Sequence, residues 1–280
     1  MSGHPARRKR TNALMLGLTA LCALLSASAL FAILGYIAWK GASAVSWAFL
    51  TRLPVPVGET GGGIANSVLG SLEVVGLAAL IGVPVGVLGG VYLAEYGRGR
   101  LAFWVRYAAD VLNGVPSIVV GLFAYALIVL PMKRFSALSG SVALSVIMVP
   151  VVLRSTEDFL RLVPGTIREA ALALGVPRWK VTLRVVLPSA SRGILTGALL
   201  AVSRVAGETA PLIFTAFGNT FWGRGLLEPV ATLPLTIYNY AISPYDDWHR
   251  QAWAAALVLM LFVLAVNLAA RLWLRPRAAN

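Results

Sequence analysis

Three features of this sequence predict an all-α integral membrane protein with six transmembrane helices. First, 58% of its 280 residues are hydrophobic and 12% are charged, at a mean hydropathy of +0.79. Soluble domains of ordinary composition carry about 25% charged residues. Second, several apolar runs exceed the ~20 residues that cross a bilayer as a helix. Third, the basic residues are distributed unevenly. Of the 24 Lys and Arg, roughly 17 lie on or beside one set of alternate loops and the two tails, and about 6 on the other set. That asymmetry is the positive-inside pattern. It accounts for the net charge of +13 without a nucleic-acid partner.

The six spans are read at roughly 13–38, 66–93, 111–132, 137–156, 190–216 and 251–274. Arg7, Arg8, Lys9 and Arg10 place the N-terminus in the cytoplasm. An even number of crossings returns the C-terminus there, beside Arg271, Arg275 and Arg277. The loops at 94–110 and 157–189 are then cytoplasmic, and the segments 39–65 and 217–250 are external. Ala27-Ser28-Ala29 resembles a signal-peptidase site, so a cleaved leader competes with a first span. The apolar character continues from Leu30 to Trp39, which makes the run long enough to span and stay.

In the second span Gly82, Gly86 and Gly90 recur every four residues and form a small-residue stripe suited to close helix packing or to a hinge. Pro84 would kink this span unless neighbours satisfy the freed carbonyl. Glu73 lies near its external end, within reach of the interface. Asn113 and Ser117 flank Pro116 at the start of the third span, either satisfying local backbone or facing a pathway. The segment 217–250 collects Phe221, Trp222, Tyr238, Tyr240, Tyr245 and Trp248 among several prolines. Such aromatics suit the headgroup layer or an external partner.

The loop from Thr166 to Pro188 carries its own helix. Thr166 and Glu169 fit a capping box, Ala170, Ala171 and Leu174 belong to a run of strong helix formers, and Gly175 fits the first position past a helix end. Pro177 can open a second helix. A short capped helix on the surface of a membrane protein is suited to being gripped by a partner.

Arg204 and Glu208 lie inside the otherwise apolar fifth span, where a charge costs ~2.5–3.5 kcal/mol on insertion scales. On a straight helix Gly193, Gly197, Ala201, Arg204 and Glu208 fall within an arc of about 80°. The charged face is therefore also the small-residue face, which packs on protein or lines a passage. The i, i+4 spacing allows Arg204 and Glu208 to pair. They either fix packing or handle an anion, since a guanidinium fork suits a tetrahedral oxyanion. Thr209 follows directly.

Four motifs carry a family resemblance. Glu169-Ala170-Ala171, then Gly175, Val185, Leu187 and Pro188, is similar in residues and spacing to the EAA loop of ABC-importer membrane subunits. Gly207-Glu208-Thr209-Ala210-Pro211-Leu212, Tyr92-Leu93-Ala94-Glu95-Tyr96-Gly97 and Asn113-Gly114-Val115-Pro116-Ser117-Ile118 resemble the PstA-type permeases of bacterial phosphate importers, from about residue 60 onward.

The resemblance implies a type I ABC importer permease with a MetI-like fold in the bacterial inner membrane. It implies a second, PstC-type permease, a homodimeric PstB-type ATPase that binds ATP and Mg, and an external PstS-type phosphate-binding protein. On that reading residues 1–12 are a basic cytoplasmic tail, and 13–65 the first helix and external loop. Residues 66–274 are the importer transmembrane domain with its coupling loop at 157–189, and 275–280 a second cytoplasmic tail. Glu169, Ala170, Ala171, Leu174 and Gly175 would contact the ATPase. Arg204, Glu208, Thr209, Asn113 and Ser117 are the candidate substrate path. An importer of another oxyanion (phosphonate, molybdate or sulfate) and a passive anion facilitator are the alternatives.

No enzyme is expected in this chain, and no cofactor or metal of its own. The sequence has no Gly-x-x-x-x-Gly-Lys-Ser/Thr phosphate loop, and neither Gly-x-Ser-x-Gly nor His-Glu-x-x-His. Cys22 is the single cysteine, and His4 and His249 lie far apart in sequence.

Overall fold

The computed structural model describes residues 4–59, 61–223 and 225–273. Arg275, Arg277 and the tail 275–280 lie outside the described residues. All described elements are helical, apart from one isolated bridge between Phe217 and Val230. They are α1 (His4–Ala42), α2 (Trp47–Thr51), α3 (Ala65–Tyr96), α4 (Gly99–Gly114), α5 (Ser117–Met132) and α6 (Ala137–Arg161). There follow α7 (Gly165–Ala173), α8 (Arg178–Val205), α9 (Ala210–Thr215), α10 (Leu233–Ala241) and α11 (Asp246–Trp273).

Among the described residues, five helices are long and apolar enough to cross a membrane: α1, α3, α6, α8 and α11. The bent pair α4–α5 makes a sixth span if counted as one.

Two of the expected spans are not continuous helices. The third breaks at Val115–Pro116, and α4 and α5 meet there at 105°. Proline disfavours the helical region for the residue before it, and Val115 is extended (φ −70°, ψ 130°). The stretch 99–110, expected as loop, is helix. The fifth starts earlier than expected, at Arg178, and its helix ends at Val205. Residues 206–209 form a turn before α9 resumes. Single π-turns sit within α3 (Tyr92–Tyr96), α5 (Tyr125–Val129) and α8 (Thr182–Val186).

α3, α6 and α8 form the centre of the bundle. The glycine stripe packs α3 onto α6. A Cβ on Gly86 would lie 2.7 Å from Val152 Cβ, and one on Gly89 2.8 Å from Leu153 Cδ1. Gly82 lies against Met148 and Gly90 against Thr156, so both helices advance one turn per contact and run parallel. α3 runs through Pro84 as a helix. On α8, Gly193 meets Phe159 and Gly197 meets Ser155, which makes α8 antiparallel to α6. α1 packs outside, against α11, where Tyr36 and Trp253 meet edge to face at 5.2 Å.

The end opposite α7 is closed by residues 216–223 and 225–233. Ser136 and Ala137 donate backbone N–H groups to the carbonyls of Thr215 and Glu228. Leu233 N–H donates to Ser71 Oγ at 2.7 Å, and Asn66 Nδ2 to the Asn219 carbonyl at 2.6 Å. The aromatic segment divides: Phe221 and Tyr238 are exposed, whereas Tyr240 is buried and stacked on Trp248.

Candidate functional site

The helix expected in the loop is present as α7, but it is capped differently. Pro164 occupies the N-cap position and Thr166 is already inside the first turn, so no side-chain cap forms. The capping box needs an extended Thr, and Pro164 has already supplied the extended residue (ψ 139°). The C-terminal reading holds: Gly175 is left-handed (φ 76°) and its N–H donates to the Leu172 carbonyl at 2.9 Å. No residue of α7 is buried. Glu169, Ala170, Leu172 and Gly175 face outward, and Leu174 is 83% exposed. Ala171 is half-buried and packs on the cluster of Leu160, Val163 and Val186.

One side chain of α7 turns inward. Arg168 Nη2 donates to Glu95 Oε1 at 2.7 Å and Nε to the same oxygen at 3.1 Å. Nη1 donates to the Val163 carbonyl at 2.5 Å and Nη2 to the Leu160 carbonyl at 2.7 Å. Glu95, in the last turn of α3, is buried. Arg178, which opens α8, donates to the Glu95 carbonyl at 3.0 Å and lies 5.8 Å from the centre of the Tyr96 ring. Close by, Glu157 of α6 is buried among Arg106, Arg154 and Arg161, and Arg154 also binds Asp110. Glu95 and Tyr96 stood in a family motif, but none of these groups was assigned a role from the sequence. The available signal was a carboxylate at the end of an apolar run.

The five residues expected to line the path flank the two helix breaks. Asn113 is exposed in the last turn of α4 and Ser117, half-buried, opens α5. Arg204 is exposed in the last turn of α8; Glu208 and Thr209 are half-buried in the following turn. α5 and α9 lie side by side. A Cβ on Gly121 would come within 2.6 Å of Pro211 Cα, and beyond both helices Phe135 stacks on Phe217 at 4.5 Å. The two helices therefore run in the same direction, with their preceding breaks at the same end.

Arg204 and Glu208 do not pair. The turn at 206–209 takes Glu208 off the helix that carries Arg204, and no ion pair joins them among the described residues. The small-residue face also divides. Gly193, Gly197 and Ala201 are spent on packing, and Arg204 emerges beyond them into the open.

The family described as "Binding-protein-dependent transport system inner membrane component" matches residues 86–278. Proteins named "Phosphate transport system permease protein PstA" are similar over almost the whole chain. The one from Haemophilus influenzae is 45% identical over 96% of each chain. That from Xylella fastidiosa is 46% identical over 98% of this chain and 96% of its own. That from Yersinia pestis is 44% identical over 95% and 90%.

The fold resembles the inward-facing MetNI methionine ABC transporter (TM-score 0.65, 19% identity, covering 76% of this chain and 94% of that one). It also resembles a bacterial ABC transporter that imports the acidic polysaccharide alginate (TM-score 0.60, 14% identity, 96% and 99%). With this fold, and with relatives alike from end to end, the chain belongs to the PstA family of phosphate transport system permeases.

Proposed function

We propose that this chain is one of two permease subunits of an ATP-driven importer that moves inorganic phosphate into the bacterial cytoplasm. It is a multi-pass transport subunit of the inner membrane. Its partners are a PstC-type permease, a homodimeric PstB-type ATPase holding ATP and Mg, and an external PstS-type phosphate-binding protein.

The observation that carries this reading is α7. A nine-residue helix with no buried residue, displaying Leu172 and Leu174, is fixed by Arg168 to the ends of the central helices of a chain from a phosphate permease family. Isolated helices of that length are marginal in water. A firmly held, outward-facing one suits docking on a moving partner. Positive-inside charge puts α7 in the cytoplasm, where Glu169, Ala170, Ala171, Leu174 and Gly175 meet the ATPase.

Movement of the ATPase pair shifts α7, the bundle opens outward, and phosphate enters from the binding protein. Arg204, with no side-chain partner among the described residues, offers its guanidinium to the anion at the α8–α9 break. Asn113, Ser117, Glu208 and Thr209 complete the polar lining. Interrupted helices lining a substrate passage are a recurrent solution in transporters.

The test is uptake of radiolabelled phosphate by proteoliposomes holding the assembled complex, with wild type and Arg204→Lys. The substitution keeps the charge and removes the planar fork. Loss of ATP-dependent uptake in an assembled complex places phosphate handling at Arg204; unchanged uptake removes it from the path. Uptake by the wild type that persists without ATP would point to a facilitator.

A further inference from the structure

We infer that the Arg168–Glu95 bridge is the link through which α7 moves the central helices, with both residues acting as positioning residues for transport. This rests on the reading of α7 as the ATPase-docking helix.

Three observations carry it. First, α7 has little else to transmit force with. None of its residues is buried, and Ala171 alone is half-buried against the apolar cluster at this end. Second, the Arg168 guanidinium makes contacts that join three helices. It holds the Glu95 carboxylate of α3 with two nitrogens, and it caps the Leu160 and Val163 carbonyls at the end of α6. A cation at a helix C-terminus is favourable in itself. A buried carboxylate held by two nitrogens of a guanidinium fixes direction as well as distance.

Third, the receiving side is stiff. Glu95 lies directly beyond the stretch of α3 whose glycines key into α6 turn by turn, so a displacement of Glu95 is carried by the α3–α6 pair. Arg178 ties the same turn to α8 through the Glu95 carbonyl, and Tyr96 Oη lies 3.4 Å from Thr182 Oγ1. Both of these contacts involve π-turns, which recur at functional positions in helices.

A brace that only stabilised the fold would change yield and thermal stability. A transmitting link changes the phosphate moved per ATP hydrolysed. The experiment uses the complete transporter in proteoliposomes, with Arg168→Lys and Glu95→Gln. The expected result is retained ATP hydrolysis with phosphate per ATP reduced at least about fivefold, the lower edge of typical coupling free energies. An unchanged ratio in either assembled variant overturns the inference. So does loss of the ATPase from the complex, which would make Arg168 a docking residue.

A second measurement needs neither variant to fold. Spin labels at Ala173→Cys and Arg98→Cys, with the exposed native Cys22 replaced by Ser, report the separation of α7 from the end of α3. It should stay constant between the nucleotide-free and ATP-bound complexes. A change of more than about 5 Å, one helical turn, breaks the link. A wild-type complex with no ATP-dependent uptake would sink the importer reading instead, and is distinguished by that control.

Discussion

Arg106 of α4 holds the buried Glu157 of α6, Nε to Oε1 at 2.6 Å, and its Nη2 also reaches the Leu93 carbonyl of α3 at 3.0 Å. One guanidinium thus fastens the tilted α4 to two central helices. Glu157 is shared with Arg154 at 3.1 Å and Arg161 at 2.6 Å. Removing one partner of a buried pair costs more than the pair contributes, because the other charge stays in place. Glu157→Ala is expected to cost about 3 kcal/mol, the low end because all three guanidiniums keep some solvent exposure. Thermal unfolding of the assembled complex in detergent, followed by tryptophan fluorescence, checks this. A variant as stable as wild type would mean the cluster is solvated in place.

The α3–α6 seam makes a sharper prediction, since the space for each added atom is defined. Gly86→Val would drive its branched carbons into Val152 and the Val149 carbonyl, which lie 2.7 and 3.0 Å from a Cβ at that position. Overpacking of this kind costs about 1–3 kcal/mol. Gly76, on the same helix, is exposed with nothing within 4 Å of its would-be Cβ. Gly76→Ala should be neutral or stabilising by up to about 1 kcal/mol. The same melting experiment on the pair separates close approach from a general intolerance of substitution in α3. Equal losses at both positions would contradict the seam.

Docking by α7 is testable at Leu174, the apolar side chain that directly follows the helix. Leu174 is 83% exposed and precedes the left-handed Gly175, so Leu174→Asp leaves the packing of this chain untouched. Fully burying a leucine in an interface contributes about 1.5–3 kcal/mol. The substitution should therefore weaken capture of the ATPase by roughly tenfold to a hundredfold, while the permease pair still assembles. Co-purification of the ATPase at graded concentrations reads this directly, and unchanged capture would exclude Leu174 from the contact.

Which parts were legible in sequence follows from which signals are local. α1, α6 and α11 are long apolar runs, and hydropathy finds such helices. The same measure joins what Pro116 separates, because Val111 to Leu130 stays apolar through the proline and backbone sterics leave no mark on hydropathy. α4 was hidden for the opposite reason: Arg100, Arg106 and Asp110 give it a polar count, although Phe103, Trp104 and Tyr107 make an exposed aromatic face. The glycine stripe was readable as a packing surface; its partner was not. Glu95 and Arg168 stand 73 residues apart, and no periodicity links a carboxylate to a guanidinium across that distance. Thr166 and Glu169 had the right spacing for a box, and Pro164 decided the cap two residues earlier.

The break at 206–209 alters what Arg204 and Glu208 predict for each other. On one straight helix they would pair, and deleting either would strand a buried charge. Here Arg204 is exposed at the end of α8, Glu208 is half-buried in the turn, and they share no bond. Residues without a shared partner usually add within about 0.3–0.5 kcal/mol. A double-mutant cycle of Arg204→Gln and Glu208→Gln on the melting of the assembled complex is expected to close within that margin. The same cycle on phosphate uptake should fail to close if Arg204 and Glu208 line the path, because an anion passing the break would then contact both sides of it. Additive stability with non-additive uptake would assign the two residues to the substrate. A stability coupling above about 1 kcal/mol would mean that they pair in the assembled transporter, through a conformation in which the turn has wound back into helix.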